Sequence, residues 1–320
     1  MAPLRRPLIG LALGSGSARG WAHIGVLRTL LEAGVRPDVV AGASVGAIVG
    51  AAYAAGELDR FEAWVRGMDR RTVVSYMDFN LGGGMLKGER LMGMLRTHLG
   101  ERPIEDLATR FAAVATALHS GDEVWLRQGP VADAVRASFA LPGLFTPVWR
   151  DGRLLVDGGL VNPVPVSLAR ALGADAVIAV DLNNDMLGRS FHAEASEPEA
   201  WRGGAWMQSL QQGLSAWWPH ADQDATGPDT EAAQPRPPPL PSLRNVIATS
   251  IHVMQVRITR SRMAGDPPEA VIAPRLGHLG LLDFHRAAEA IDAGRAAAAE
   301  VLPLLRLRGL CPPPDAPADA

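Results

Sequence analysis

The chain has 320 residues, 48% of them hydrophobic, with a formal net charge of −3 and a pI near 6.2. That is ample apolar content for the core of one large domain or two ordinary ones, and a near-balanced charge with no long run of one sign excludes the basic field that draws proteins to nucleic acid. The single cysteine, Cys311, excludes an intramolecular disulfide, a cysteine-based zinc site and a cysteine catalytic centre, and fits a reducing cytosol.

Leu8 to Leu13 is a continuous apolar run too short for a helix, which predicts a central parallel strand covered on both faces. Arg5 and Arg6 ahead of it imitate a signal peptide, but the run opens into Gly14-Ser15-Gly16 rather than a cleavage site. After the glycine-rich loop Gly14 to Gly20, Ile24, Leu27, Leu30 and Leu31 make one helical stripe across Trp21 to Ala33, and Gly34 ends it. Val39 to Ala41 reads as the second strand and leads into Gly42-Ala43-Ser44-Val45-Gly46, a Gly-x-Ser-x-Gly sequence, and then an Ala-rich run to Ala55 that suits a helix. Strand, sharp turn and helix with a serine at the turn form a nucleophile elbow. The two glycines leave room for the turn, and the helix start presents unpaired N–H groups and a positive dipole end.

From Glu57 to Gly100 the pattern is helical, interrupted at Asn80-Leu81-Gly82-Gly83-Gly84, which suits a mobile loop over a site. Arg110 to Leu118 and Glu123 to Arg127 read as strands joined at Ser120-Gly121-Asp122, and Val131 to Ala140 as a short helix. Asp151-Gly152 between two apolar runs signals a hairpin, whose second strand ends at Asp157-Gly158-Gly159. Pro165 to Leu172 suits a helix with proline at its start, and Ala176 to Val180 another buried strand. A helix from about Ser242 to Met263, a strand at Ala270 to Ala273 and a helix from Asp283 to about Leu307 complete the chain.

These elements predict a three-layer α/β/α fold with a mainly parallel central sheet. Residues 6–182 form the core of the expected catalytic domain, and 242–309 complete it. Between them, 183–241 shifts to Asn, Asp, Glu, Gly, a Trp cluster and a Pro-rich stretch, and is expected to be a mostly disordered insertion; 310–320 is expected to be a disordered tail. No stretch approaches 18 uninterrupted apolar residues, so no membrane-spanning helix is expected. Within the insertion, Trp201, Trp206, Leu210, Leu214, Trp217 and Trp218 fall near helical spacing, which suits either a bilayer interface or packing over the protein's own cleft.

A serine nucleophile needs a base and donors for an oxyanion. Asp157, at a strand end and followed by two glycines, can reach Ser44 across the strand edge, and a carboxylate gains basicity in a closed site. The loop Gly14 to Gly20 supplies backbone amides at the same edge, and Arg19 can steady it or meet an anionic head group. A dinucleotide fingerprint is disfavoured by the spacing Gly14-x-Gly16-x-x-x-Gly20 and by Asp38, which precedes the second strand instead of ending it. His23 suits local packing or hydrogen bonding better than ligation.

The ordered set of a glycine loop with Arg19-Gly20, then Gly42-x-Ser44-x-Gly46, then Asp157-Gly158-Gly159 resembles patatin-like phospholipases. The words Gly20 to Leu27, Ala137 to Gly143 and Val156 to Pro165 are similar to those of the bacterial neuropathy-target-esterase-type branch. The resemblance covers residues 8–182 closely and the last helices loosely. It implies cleavage of lipid acyl esters by a Ser-Asp dyad with no metal and no cofactor: Ser44 as nucleophile, Asp157 as base, and the amides around Ser15, Gly16 and Ser17 as oxyanion hole, supported by Gly14. Ser15 and Ser17 stand where the family usually has glycines, which matters if either backbone takes a positive φ. The expected partner is a lipid or acyl ester, with peripheral membrane contact at the inner face of a cytoplasmic protein. Two other readings are a Ser-Asp-His esterase, using His220, His252, His278 or His285, and a non-catalytic membrane-associated regulator of the same fold.

Overall fold

The computed structural model describes residues 6–76, 86, 88–185 and 243–313. Five strands run parallel: β1 (Ile9–Leu13), β2 (Val39–Ala43), β3 (Arg110–Ala117), β7 (Ala176–Val180) and β8 (Ala270–Ile272). Three run antiparallel to their neighbours: β4 (Glu123–Leu126), β5 (Val148–Arg150) and β6 (Arg153–Asp157). The sheet order is β5-β6-β3-β2-β1-β7-β8, with β4 paired to β3 off this path. The chain therefore steps from β1 to β2 on one side and returns to β7 on the other. That makes the carboxyl end of β1 a switch point, where open α/β sheets hold their ligands.

Because successive strand side chains alternate faces, each strand feeds two cores. Leu11, Leu13, Val40, Ile178 and Val180 point to one face, which is covered by α1 (Ala22–Glu32), α2 (Val45–Ala54), α3 (Leu58–Arg66), α5 (Glu89–Leu99), α6 (Val131–Ser138) and α9 (Ala287–Leu307). Ala12, Val39, Ala41, Val177 and Ala179 point to the other, against α7 (Val166–Ala171) and Met263 of α8 (Leu243–Gly265). A short α4 (Arg70–Ser75) is capped by Asp69, whose carboxylate accepts from the Thr72 amide at 2.7 Å. The three-layer arrangement expected from the sequence is the one observed. No helix among the described residues is long and apolar enough to cross a membrane.

The structure corrects the sequence reading in three places. Ser17–Trp21 of the glycine loop is wound into a 3₁₀ turn that runs directly into α1, so the loop proper is only Gly14 to Gly16. The ordered core does not stop at residue 182: Asn183 is fully buried, and Asp185 accepts from the Gly277 amide at 3.0 Å. The tail is packed at its start, with Leu310 and Cys311 buried and the Cys311 thiol donating to the Ala33 carbonyl, because the end of α9 returns to the C-terminus of α1. The interruption at Asn80 to Gly84, the Trp-rich stretch and residues 314–320 lie outside the described residues.

Candidate active site

Ser44 sits between the end of β2 and the first turn of α2 with φ 55° and ψ −123°, a left-handed backbone that a non-glycine residue adopts only under constraint. Two bonds supply that constraint. The Ser44 amide donates to the hydroxyl of Ser138 at 3.0 Å, and its carbonyl accepts from the Ala47 amide at 2.9 Å. Gly46 lets the elbow lie on the end of β1, since a Cβ there would stand 2.2 Å from the Leu13 carbonyl oxygen and 2.7 Å from that of Gly14. Elbow and glycine loop are thus in contact.

The register of β3 brings the second residue in. Ala43 pairs with Val114, and Asp157 pairs with the next residue, Ala115. Strand β4 shares Ala113 and Val114 with β2, and Ala115 and Thr116 with β6, so β2 and β6 both lie on the side of β3 away from β4 and meet end to end. At that junction the Ser44 hydroxyl donates to Asp157 Oδ2 at 2.6 Å. Asp157 Oδ1 accepts from the Gly159 amide at 2.7 Å, and the Asp157 carbonyl accepts from the Thr116 hydroxyl at 2.8 Å. Gly158 permits the close fit, as a Cβ there would fall 2.1 Å from the Val114 carbonyl oxygen. Asp157 is 1% exposed. Burial pushes its pKa up to about 6, against the opposing hydrogen bonds from Ser44 and Gly159. A carboxylate so raised is a better base for a hydroxyl than one in water.

The glycine loop divides the three proposed donors. The Ser15 amide donates to the Pro163 carbonyl at 2.8 Å, so it is committed to holding the loop and drops out of the donor set. The Gly16 and Ser17 amides have no acceptor among the described residues. Ser17, as its departure from the family pattern warned, takes φ 53°. Its hydroxyl donates to the Leu281 carbonyl at 2.6 Å, and the Ala18 amide donates to the same oxygen at 3.1 Å, which offsets the strain. His23 donates from Nε2 to the Gly14 carbonyl at 2.8 Å; burial lowers its pKa to about 4, so the ring is neutral. Gly14 itself donates to Val180, and Gly20 packs against Val45 at the start of α2.

No described histidine touches Ser44 or Asp157. His252 meets Arg19, His278 pairs with Glu289 at 2.8 Å, and His285 accepts from Arg70 at 3.2 Å; His220 lies outside the described residues. Among the described residues no group of three His, Cys, Asp or Glu is placed to hold a metal ion. The sequence reading missed Ser138, Asn183 and Gln255. Ser138 lies inside one of the quoted family-like words, but nothing local to it announces a partner 94 positions away.

Residues 11–170, half of the chain, match the family model for patatin-like phospholipases. An uncharacterized NTE family protein of Mycobacterium tuberculosis is 34% identical over 334 residues, covering 92% of this chain and 91% of the relative. A patatin-like phospholipase domain-containing protein of Caenorhabditis elegans is 38% identical over 184 residues, covering 55% of this chain and 14% of its own length. Patatin-like phospholipase domain-containing protein 7 of Mus musculus is 34% identical, over the same shares of the two chains. With the motif order, the fold and a near full-length relative in agreement, the chain belongs to the patatin-like phospholipase family, in its NTE branch.

Proposed function

We propose that the chain is a serine acyl hydrolase that cleaves carboxylic esters of lipids, phospholipid or lysophospholipid, through Ser44 and Asp157. The observation that carries the reading is the 2.6 Å bond from the Ser44 hydroxyl, held at a strained elbow, to a buried carboxylate. Ser44 Oγ attacks the ester carbonyl carbon as its proton passes to Asp157, and the oxyanion faces the amides of Gly16 and Ser17. Collapse expels the alcohol, which takes the proton back from Asp157 and leaves an acyl-Ser44. Water then attacks the acyl carbon, giving its proton to Asp157, and the fatty acid departs as Ser44 is reprotonated. Each half-reaction returns the proton it borrowed. The reading extends to a cytoplasmic enzyme that meets its lipid at the inner membrane face.

The test is hydrolysis of p-nitrophenyl esters of graded chain length and of lysophospholipids by the purified protein. Turnover is expected, and absence of turnover on every ester would overturn the reading. Because the base must be ionised, kcat/KM is expected to rise with pH through a midpoint near 6, the value to which burial brings Asp157. An acid limb near 4 instead would assign the base to a solvated carboxylate.

A further inference from the structure

We infer that His252 and Gln255, one turn apart on α8, are positioning residues for the oxyanion loop: through Arg19 and Asn183 they fix the carbonyls of Gly16 and Ser15, and so the direction of the Ser17 and Gly16 amides. This rests on the acyl-hydrolase reading and adds to it the structure that holds the donors in place.

The coupling runs through the peptide bond. In a trans peptide the carbonyl and the N–H point to opposite sides of one plane, so whatever grips the carbonyl sets where the N–H points. The two amides without an acceptor belong to the Ser15–Gly16 and Gly16–Ser17 peptides, and both carbonyls of those peptides are gripped by side chains. Asn183 Nδ2 donates to the Ser15 carbonyl at 3.3 Å, and Arg19 Nε donates to the Gly16 carbonyl at 3.1 Å. A donor aimed before the reaction costs no reorganisation when the oxyanion forms.

Neither gripping side chain is held by its own strand or turn alone. Arg19 is fully buried, and Arg19 Nη2 donates to His252 Nε2 at 2.5 Å. A guanidinium has no acceptor, so this nitrogen of His252 carries no proton and the imidazole is neutral. Burial and the neighbouring guanidinium lower the His252 pKa to about 4, consistent with that state. Burial lowers Arg19 as well, to about 10, opposed by the carboxylates of Asp185 and Asp181, so the guanidinium stays charged and polarises the peptide whose N–H is Ser17. On the same face of α8, Gln255 Oε1 accepts from Asn183 Nδ2 at 3.4 Å. Gln255 also lies against the turn after the base, since a Cβ on Gly159 would stand 2.7 Å from its amide nitrogen. One helix thus backs both halves of the site, from 233 positions away in the case of Arg19.

The experiment compares wild type, His252→Ala, His252→Gln and Gln255→Ala for kcat, KM, the rate of labelling by a fluorophosphonate and thermal unfolding. In His252→Ala, kcat is expected to fall on the order of 10²-fold, the scale of a misdirected oxyanion donor. The labelling rate is expected to fall in parallel, since phosphonylation builds the same negative oxygen, while KM changes by no more than about threefold. His252→Gln, whose Oε1 can accept from Arg19, is expected to recover most of the loss. Undiminished kcat in His252→Ala, or a His252→Gln variant as impaired as Ala, would overturn the inference. Should His252→Ala fail to fold, with a buried guanidinium N–H left without its acceptor, Gln255→Ala carries the test, because it frees Asn183 and leaves the Arg19–His252 bond intact; an unchanged kcat there would overturn the inference equally. A wild-type protein that neither hydrolyses esters nor labels removes the acyl-hydrolase reading itself, a result distinct from active enzyme with unaffected variants.

Discussion

Ser44→Ala is expected to abolish ester hydrolysis, a loss on the order of 10⁴- to 10⁶-fold in kcat, while the protein remains folded. The substitution takes away one hydroxyl and the bond it donates to Asp157 at 2.6 Å. It leaves the elbow's other supports in place: the amide bond to Ser138, the Ala47 bond to the carbonyl, and the fit of Gly46 on β1. Loss of one hydrogen bond to a buried carboxylate costs about 2 kcal/mol, a minor part of the stability of a domain this size. A fluorophosphonate is expected to label Ser44 in the wild type and nothing in Ser44→Ala. Labelling that survives the substitution, or turnover within tenfold of wild type in a well-folded variant, would place the nucleophile elsewhere.

Asp157→Asn is expected to lose activity on the order of 10⁴-fold and to gain stability at the same time. The activity is lost because an amide takes no proton from Ser44. The stability follows from the carboxyl's own cost. Its folded pKa of about 6 lies above the ordinary 3.8, with burial as the largest cause. The folded state therefore prefers the neutral acid. Any stabilisation from this group is complete below 3.8 and is lost as pH rises through 6, so above 6 the folded chain carries a buried charge that the unfolded chain carries in water. The gap between 3.8 and about 6 corresponds to about 3 kcal/mol. Asparagine removes the charge while its Oδ1 can still accept from the Gly159 amide and its Nδ2 can donate to the Ser44 oxygen. Thermal unfolding at pH 8 is expected to show Asp157→Asn melting several degrees above wild type, with the difference closing as pH falls through 6 toward 4. Equal melting at pH 8, or a gap that widens at low pH, would refute the assignment of a raised carboxyl at this position.

The element order was legible because each strand and helix carries its own local signal. A five-residue apolar run such as Ala176 to Val180 is a buried strand whatever surrounds it, and Asp151-Gly152 turns a hairpin through backbone angles those residues accept. Ser44 and Asp157 were legible for the same reason: the elbow and the strand-end turn are local backbone solutions written as glycine spacing. What the sequence by itself determined about this protein is therefore its family and its α/β order, and it singled out the two side chains, Ser44 and Asp157, that the fold brings into contact.

Only the tertiary structure decided how those pieces are aimed. The junction of β2 and β6 depends on consecutive register positions on β3, Val114 and Ala115, which no spacing within either strand encodes. The Ser15 amide is taken up because Pro163 lies opposite it, and Ser138, Asn183, His252 and Gln255 find hydrogen-bond partners between 72 and 233 positions away. Hydrogen-bond partners at that separation are chosen by packing, since a buried polar group takes whichever complementary atom the fold delivers to it, and that delivery is a property of the assembled layers and not of the chain on either side.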